Sequence, residues 1–223
     1  VLRGLAVMGI IILHSIEHFN FYSFPDTTTQ SDWLNFTDKA IWNGLFFMFG
    51  GKAYAVFALL FGFSFFIQND NQRMRGNDFR LRFCWRLILL FLIGNINASI
   101  FTAEVLVLYS LVGIILPLTC RLKDKWVFLL ACVLLIQPLP LYYVIRACLD
   151  PSFITPAIPT RSFWDATFAV QSHGSFLETV RVNLWEGQIA SLAWAWDHGR
   201  VFQTAALFLL GMLIGRRGLF QKG

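Results

Sequence analysis

The chain has 223 residues, 57% hydrophobic and 17% aromatic against 14% charged, with a formal net charge of +5. Soluble domains carry about 25% charged residues, so this balance, a mean hydropathy of +0.60 and long apolar runs exclude an ordinary soluble domain and point to the membrane class. The charge is not a nucleic-acid signal, because the basic residues cluster in short loops between apolar segments.

A bilayer core takes about 20 residues of helix. On that measure the chain reads as all-α, a polytopic transmembrane helical bundle of about six spans. Residues 1–146 hold spans 1–5, at about 3–22, 43–67, 85–101, 104–120 and 126–146. Residues 147–201 form a long extracytoplasmic segment, and 202–223 hold span 6 and the start of a further C-terminal part. The first apolar run has one upstream charge, Arg3, and no small-residue cleavage site after it, so a retained helix is expected rather than a signal peptide. The chain starts with Val, and an apolar segment just before its end is left unclosed. The expectation is a piece of a longer protein.

Charge gives the direction of the spans. With the N-terminus inside, Arg3, the loop QNDNQRMRGNDFRLRFCWR, the loop RLKDK and the tail GRRGLFQKG face the cytoplasm and hold 12 of the 18 Lys and Arg residues. The outer segments hold five: Lys39, Arg146, Arg161, Arg181 and Arg200. The positive-inside rule then predicts N-in and C-in. The outer segment opens with the Pro-rich DPSFITPAIPT and continues as FLETVRVNLWEGQIASLAWAW. Trp164, Trp185, Trp194 and Trp196 suit a membrane interface, so one or two interfacial helices or a short re-entrant segment are expected there. The four cysteines show no CxxC spacing and read as small buried residues.

Ionisable groups inside a span are costly and point to function. His14, Glu17 and His18, in HSIEH, share one helical face. Arg3 lies 11 residues earlier, on nearly the same stripe and about 16 Å nearer the cytoplasm. Three readings are open: a metal site of the H-x-x-E-H type, a polar cluster that fixes helix packing, or general acid–base chemistry at a His held by a carboxylate. No third metal ligand is evident, and no metal is expected. Lys52, in FMFGGKAYAVFALLFG, falls near the middle of span 2, to pair with Glu17 or to bind an anionic substrate group. Asn95, Asn97 and Glu104 either line the acceptor side of a cavity or form a polar turn. The basic loop from Arg73 to Arg86 reads as topogenic charge rather than a specific phosphate site. His173, Glu186, Asp197 and His198 read as interfacial or solvated.

VLRGLAVMGIIILH resembles the first helix of the YeiB-like bacterial inner-membrane proteins, a family of unknown function. AVFALLFG, AEVLVLYSLVGIILP and FLLGMLIGRRGLF are similar to three later segments of that family, in the same order, across its N-terminal half. The chain departs from it at Asn97, where many relatives carry His, and at Glu104, where they often carry Asp, so no catalytic role carries over to those two positions. More distantly, Arg3 and His14 match the R-x10-H pattern of the integral-membrane acyltransferase-three family, and the YeiB-like proteins resemble the lysosomal heparan-α-glucosaminide N-acetyltransferase.

These resemblances imply a place in a bacterial cytoplasmic (inner) membrane, and acyl transfer there from cytoplasmic acyl-CoA, acetyl-CoA for example, to an extracytoplasmic saccharide or related acceptor. His14 would be the base and Arg3 its matched cation. The residues themselves add Glu17 or His18 to orient His14, and Lys52 or Arg3 to hold the donor. The expected partners are the lipid bilayer, acyl-CoA and the acceptor, without nucleic acid. A proton-coupled transporter and a non-catalytic membrane protein are the rival classes. No repeated halves and no matching pair of Gly/Pro-broken helices are visible in the sequence to favour transport.

Overall fold

The computed structural model describes residues 2–19, 30–102, 104–150, 152–154, 156 and 158–218, with the backbone alone for Arg3, Glu17, His18 and Phe19. Among the described residues there are helices and turns and no strand. The chain divides into two compact units, Val1–Phe61 and Gly62–Gly223.

The first unit contains α1 (Leu2–Phe19), α2 (Asp32–Phe49) and the start of α3 (Lys52–Met74). α1 meets α2 at a small residue: a Cβ on Gly9 would lie 2.5 Å from the Phe49 ring and 3.2 Å from Ala53 Cβ, so only glycine lets the two elements approach this closely. α2 ends where Gly50 and Gly51 interrupt it, Gly51 taking the left-handed conformation that glycine tolerates. Lys52 is therefore the first residue of α3 and not the middle of one span from 43 to 67. Its exposed ammonium donates to the carbonyl of Phe47, one of the unpaired acceptors at the end of α2, and lies 4.3 Å from that residue's ring centroid.

The second unit is built around α12 (Arg200–Arg216). Nine of its residues are buried, among them Phe208, Leu209 and Met212, each no more than 1% exposed. A helix buried on every side needs small residues where neighbours cross it. Ala205, Ala206, Gly211 and Gly215 provide them. Against α12 pack α7 (Asp124–Leu135), through Val127 and Ala131, and the short α5 (Leu106–Val112) and α6 (Ile115–Thr119), through Tyr109 and Leu116. The Tyr109 and Phe208 rings meet edge to face at 5.1 Å. α3 comes closer still: a Cβ on Gly62 would lie 1.9 Å from the Phe208 carbonyl oxygen.

α4 (Arg80–Ala98) packs one face inward, with Phe83, Leu87, Gly94 and Ala98, and leaves the other bare. Leu81, Trp85, Ile88, Leu92 and Ile96 recur at helical spacing and are 49–82% exposed. At 1.5 Å per residue its 19 residues rise about 28 Å, close to the roughly 30 Å of a bilayer core. An apolar strip of that length needs an apolar neighbour.

Among the described residues two stretches are, by length and composition, apolar enough to cross a membrane, Asp32–Met74 and Arg80–Ala98. The number rises to four if each of two bent helix pairs counts as one span. One pair is α7 with α8 (Pro138–Leu149), bent 44°; the other is Phe176–Asp197 with α12, bent 71°. Leu106–Thr119 and Gly4–Ile16 are apolar but shorter. The six expected spans are thus resolved into fewer long helices and several broken ones. The breaks have local causes. Gln137 is left-handed and precedes Pro138, a residue that disfavours helix before it, and Gly199 is left-handed before α12. The two breaks touch: a Cβ on Gly199 would lie 2.2 Å from Gln137 Oε1. The described residues thus hold two helix breaks, one before Pro138 and one at Gly199, without showing the repeated halves in which such breaks would match.

Between α8 and α12 the segment expected to be interfacial is helical. α9 (Thr160–His173), α10 (Phe176–Val182), a π-helical turn at Asn183–Gly187 and α11 (Gln188–Asp197) follow in order. Ser175 and Glu178 form a reciprocal capping box that starts α10.

The close approach of α3 to α12 predicts that Gly62→Ala lowers stability by about 1–3 kcal/mol, because backbone rather than a flexible side chain must yield. Gly44→Ala, where a Cβ meets nothing within 4 Å, should be neutral or gain up to about 1 kcal/mol. Thermal unfolding of both variants in detergent measures the contrast.

Candidate functional site

Unit 1 holds the polar stripe. α1 is one continuous helix over Leu2–Phe19, so Arg3 and His14 fall on it 11 residues apart. Eleven residues turn it within about 20° of three full turns, which puts both positions on one stripe about 16 Å apart along the axis. His14 is half-buried and engaged with a neighbour. Glu17 and His18 continue the same face by register. The side chains of Arg3, Glu17 and His18 lie outside the described residues. Among the described residues no group of three or more His, Cys, Asp or Glu is placed to hold a metal ion.

Unit 2 has two polar ends, and the sequence reading did not find how either is built. At one end a recess of about 930 Å³ lies between the C-terminal turns of α3, the loop before α4, the α6–α7 connection and the end of α12. Four arginines reach it from four segments: Arg73, Arg80, Arg121 and Arg216. Three aspartates join them: Asp70, Asp78 and Asp124. Its inner wall is aromatic and apolar, with Phe65, Phe66, Phe79 and Met212. Phe65 packs edge-on against Phe83 at 4.5 Å and holds that wall in place.

Two of the arginines are fixed. Arg216 is 16% exposed and donates to the carbonyls of Cys120 (2.7 Å) and Leu122 (2.8 Å) and to Asp124 Oδ1 (2.8 Å). It thereby satisfies acceptors left free at the end of α6 and ties α12 to the first turn of α7, where an acidic residue also suits the helix dipole. Arg80 makes a bidentate pair with Asp78, with Nε 3.0 Å and an Nη 2.7 Å from Oδ2, and its backbone N–H also donates to Asp78 Oδ1. These bonds hold the Asp78 carboxyl at about 2 instead of the usual 3.8, so it stays ionised throughout the physiological range.

The remaining two are less committed. Arg121 makes one contact of 3.3 Å to the same Asp78 Oδ2, with its side chain 73% exposed. Arg73 has no hydrogen-bond or ion-pair partner among the described residues. Across residues 68–86, 120–125 and 216–217, ten Lys and Arg stand against three Asp.

The opposite end of α4 carries amides. Asn95 accepts from Gln188 Nε2 at 3.0 Å. Asn183, fully buried in the π-helical turn, donates to the carbonyl of Ser99 at 3.0 Å and accepts from Gln171 at 2.8 Å. Glu104 accepts from the N–H of Leu106 at 2.6 Å and starts α5. Asn95 therefore works here as an anchor between α4 and α11. Extra residues in π-turns commonly mark functional positions, and here the turn aims one buried amide at two helices. Outside this network, His198 stacks on Trp194 at 4.5 Å, and Asp197 accepts from Thr160 at 2.7 Å.

No protein-family model and no solved structure matches the chain. Similar curated proteins include an uncharacterized 39.9 kDa protein from the amylase 3' region of Bacillus acidopullulyticus. It is 25% identical over 135 residues, covering 60% of this chain and 37% of that protein. The uncharacterized protein YxaH of Bacillus subtilis strain 168 is 31% identical over 134 residues, covering 56% of this chain and 32% of its own length. The matched stretch is thus about a third of each relative's length.

The amide end predicts that Asn183→Ala costs about 1–3 kcal/mol, since it strands the Ser99 carbonyl and the Gln171 amide without replacement partners. A double-mutant cycle with Gln171→Ala, read by thermal unfolding, should show the two losses to be strongly non-additive.

Proposed function

We propose that this chain is part of a membrane-embedded acyltransferase that moves an acyl group from cytoplasmic acyl-CoA to an acceptor, a saccharide or related compound, on the other side of a bacterial inner membrane. The carrying observation is the unbroken α1, which holds the Arg3 and His14 positions on one stripe about 16 Å apart. A cation and an imidazole at two depths suit a donor that is charged and confined to one side and an acceptor confined to the other. The exposed apolar strip of α4 supports insertion in lipid. The crowding of basic residues at one end of unit 2 supports a cytoplasmic location for that end, and with it the N-in, C-in bundle.

In the reaction His14 takes the proton from the acceptor hydroxyl or amine as its lone pair attacks the thioester carbonyl. The tetrahedral intermediate collapses, the carbon–sulfur bond breaks, and the CoA sulfur leaves with the proton returned from His14. Glu17 or His18 orients the imidazole, and Arg3 steadies negative charge on the donor side. Lys52, tied to the end of α2, is a second cation for the donor.

Proton-coupled transport is the second reading, and the touching breaks at Gln137 and Gly199 favour it. Discontinuous helices in transporters commonly frame the substrate site.

The test reconstitutes the full-length protein with labelled acetyl-CoA and a crude envelope extract, beside a folded His14→Ala variant. The expected outcome is label in an acceptor, reduced at least about 100-fold in the variant. Equal labelling by both proteins removes His14 from the chemistry. Acceptor flux into sealed vesicles without covalent change would replace this reading with the transport one.

A further inference from the structure

We propose that the arginine recess of the second unit is a binding site for the phosphate groups of an organic phosphate carrying two or more negative charges. The inference goes beyond the acyl-transfer reading and stands if that reading falls.

Charges that only orient a membrane protein need to be exposed and near the surface. They need not converge. Here Arg73, Arg80, Arg121 and Arg216 come from four segments separated by up to 143 positions and line one recess. At about 930 Å³ it is within the range of small-molecule sites, roughly 300–1,000 Å³. Two of the arginines are pinned by bidentate or multiple bonds, so the scaffold is rigid before any ligand arrives. The two others are available. Arg73 has no partner among the described residues, and Arg121 has only its 3.3 Å contact to a carboxylate already paired with Arg80. Guanidinium forks bind phosphate oxygens in pairs, which is why arginine rather than lysine suits such a task.

The aspartates oppose anion binding only where they are unpaired. Asp78 and Asp124 are each paired with an arginine. Asp70 is without a hydrogen-bond or ion-pair partner among the described residues, three positions before Arg73 on α3, and its carboxylate repels any anion in the recess. The surrounding excess of ten basic over three acidic residues favours a ligand with more than one charge. Asn69 and Asn77, also in the lining, add neutral donors. The apolar inner wall of Phe66 and Met212 accepts the organic part of the ligand. That ligand is either dissolved in the cytoplasm or the headgroup of an anionic lipid, and the phosphate chemistry is shared.

The full-length protein in nanodiscs tests this without acyl-CoA. In zwitterionic phosphatidylcholine discs inorganic pyrophosphate is the probe, followed by titration calorimetry. In a second set, discs containing phosphatidic acid are compared with phosphatidylcholine discs by thermal midpoint. Saturable pyrophosphate binding supports the site with a soluble ligand. Stabilisation by phosphatidic acid alone supports it with a lipid ligand. In either case Arg73→Gln with Arg121→Gln should weaken the effect by about tenfold or more, while Asp70→Asn should strengthen it. Arg73 pins no neighbouring element among the described residues and Arg121 makes one 3.3 Å contact to Asp78, so Arg73→Gln alone serves if the double variant unfolds. Absence of both effects, or effects unchanged by the arginine substitutions, overturns the proposal. Loss of acyl transfer with phosphate binding intact would count only against the acyltransferase reading.

Discussion

The crossing of α3 and α12 at Gly62 and Phe208 leaves no room for a side chain, and much of the second unit follows from it. α12 is apolar along its buried length, with small residues at Ala205, Ala206, Gly211 and Gly215, and α5, α6, α7 and α11 close around it. The burial removes polar options along the middle of the unit. Arg216 and Arg200, at the two ends of α12, mark the limits of that dry length. The chemistry of unit 2 is consequently displaced to its ends: guanidinium and carboxylate at one, amide at the other. α4, about 28 Å long, separates them.

The two ends use polar groups differently. At the amide end Asn183 is fully buried and its partners are protein groups, as a low-dielectric site demands. At the arginine end exposure runs from 16% for Arg216 to 73% for Arg121, and the exposed pairs alone add little stability. What the pairs provide is position. Arg216 joins segments 92 residues apart, and Asp78 collects Arg80 and Arg121 across the α6–α7 connection. A scaffold of this kind constrains where the other charges point, which isolated surface ion pairs do not.

Much of the helical character was legible from hydropathy alone, and the exposed strip of α4 follows directly from its residue spacing. The break of span 2 was not. A window averaged over FMFGGKAYAV stays apolar although Gly51 turns left-handed, so Lys52 reads as mid-span when it begins a helix. The break at Gln137 was written in QPLP, where two prolines follow one another closely, yet the apolar residues on both sides conceal it. The R-x10-H spacing on α1 was visible because it is local. The recess was only half visible. The density of basic residues marked the right loops, but the convergence of Arg73, Arg121 and Arg216 depends on contacts between distant segments, for which a single sequence carries no signal. The same holds for Gln188 and Asn183, which meet the end of α4 across more than 80 residues.

The central claim is that the two polar ends of the second unit face opposite sides of a membrane, with the arginine end in the cytoplasm. It is tested most directly by single cysteines, Asn77→Cys at the arginine end and Ser175→Cys at the amide end, in an otherwise cysteine-free full-length protein. A membrane-impermeant maleimide is applied to right-side-out cells before and after permeabilisation. The account predicts labelling of position 175 in intact cells and of position 77 only after permeabilisation. Labelling of both positions in intact cells, or of 77 alone, would contradict it.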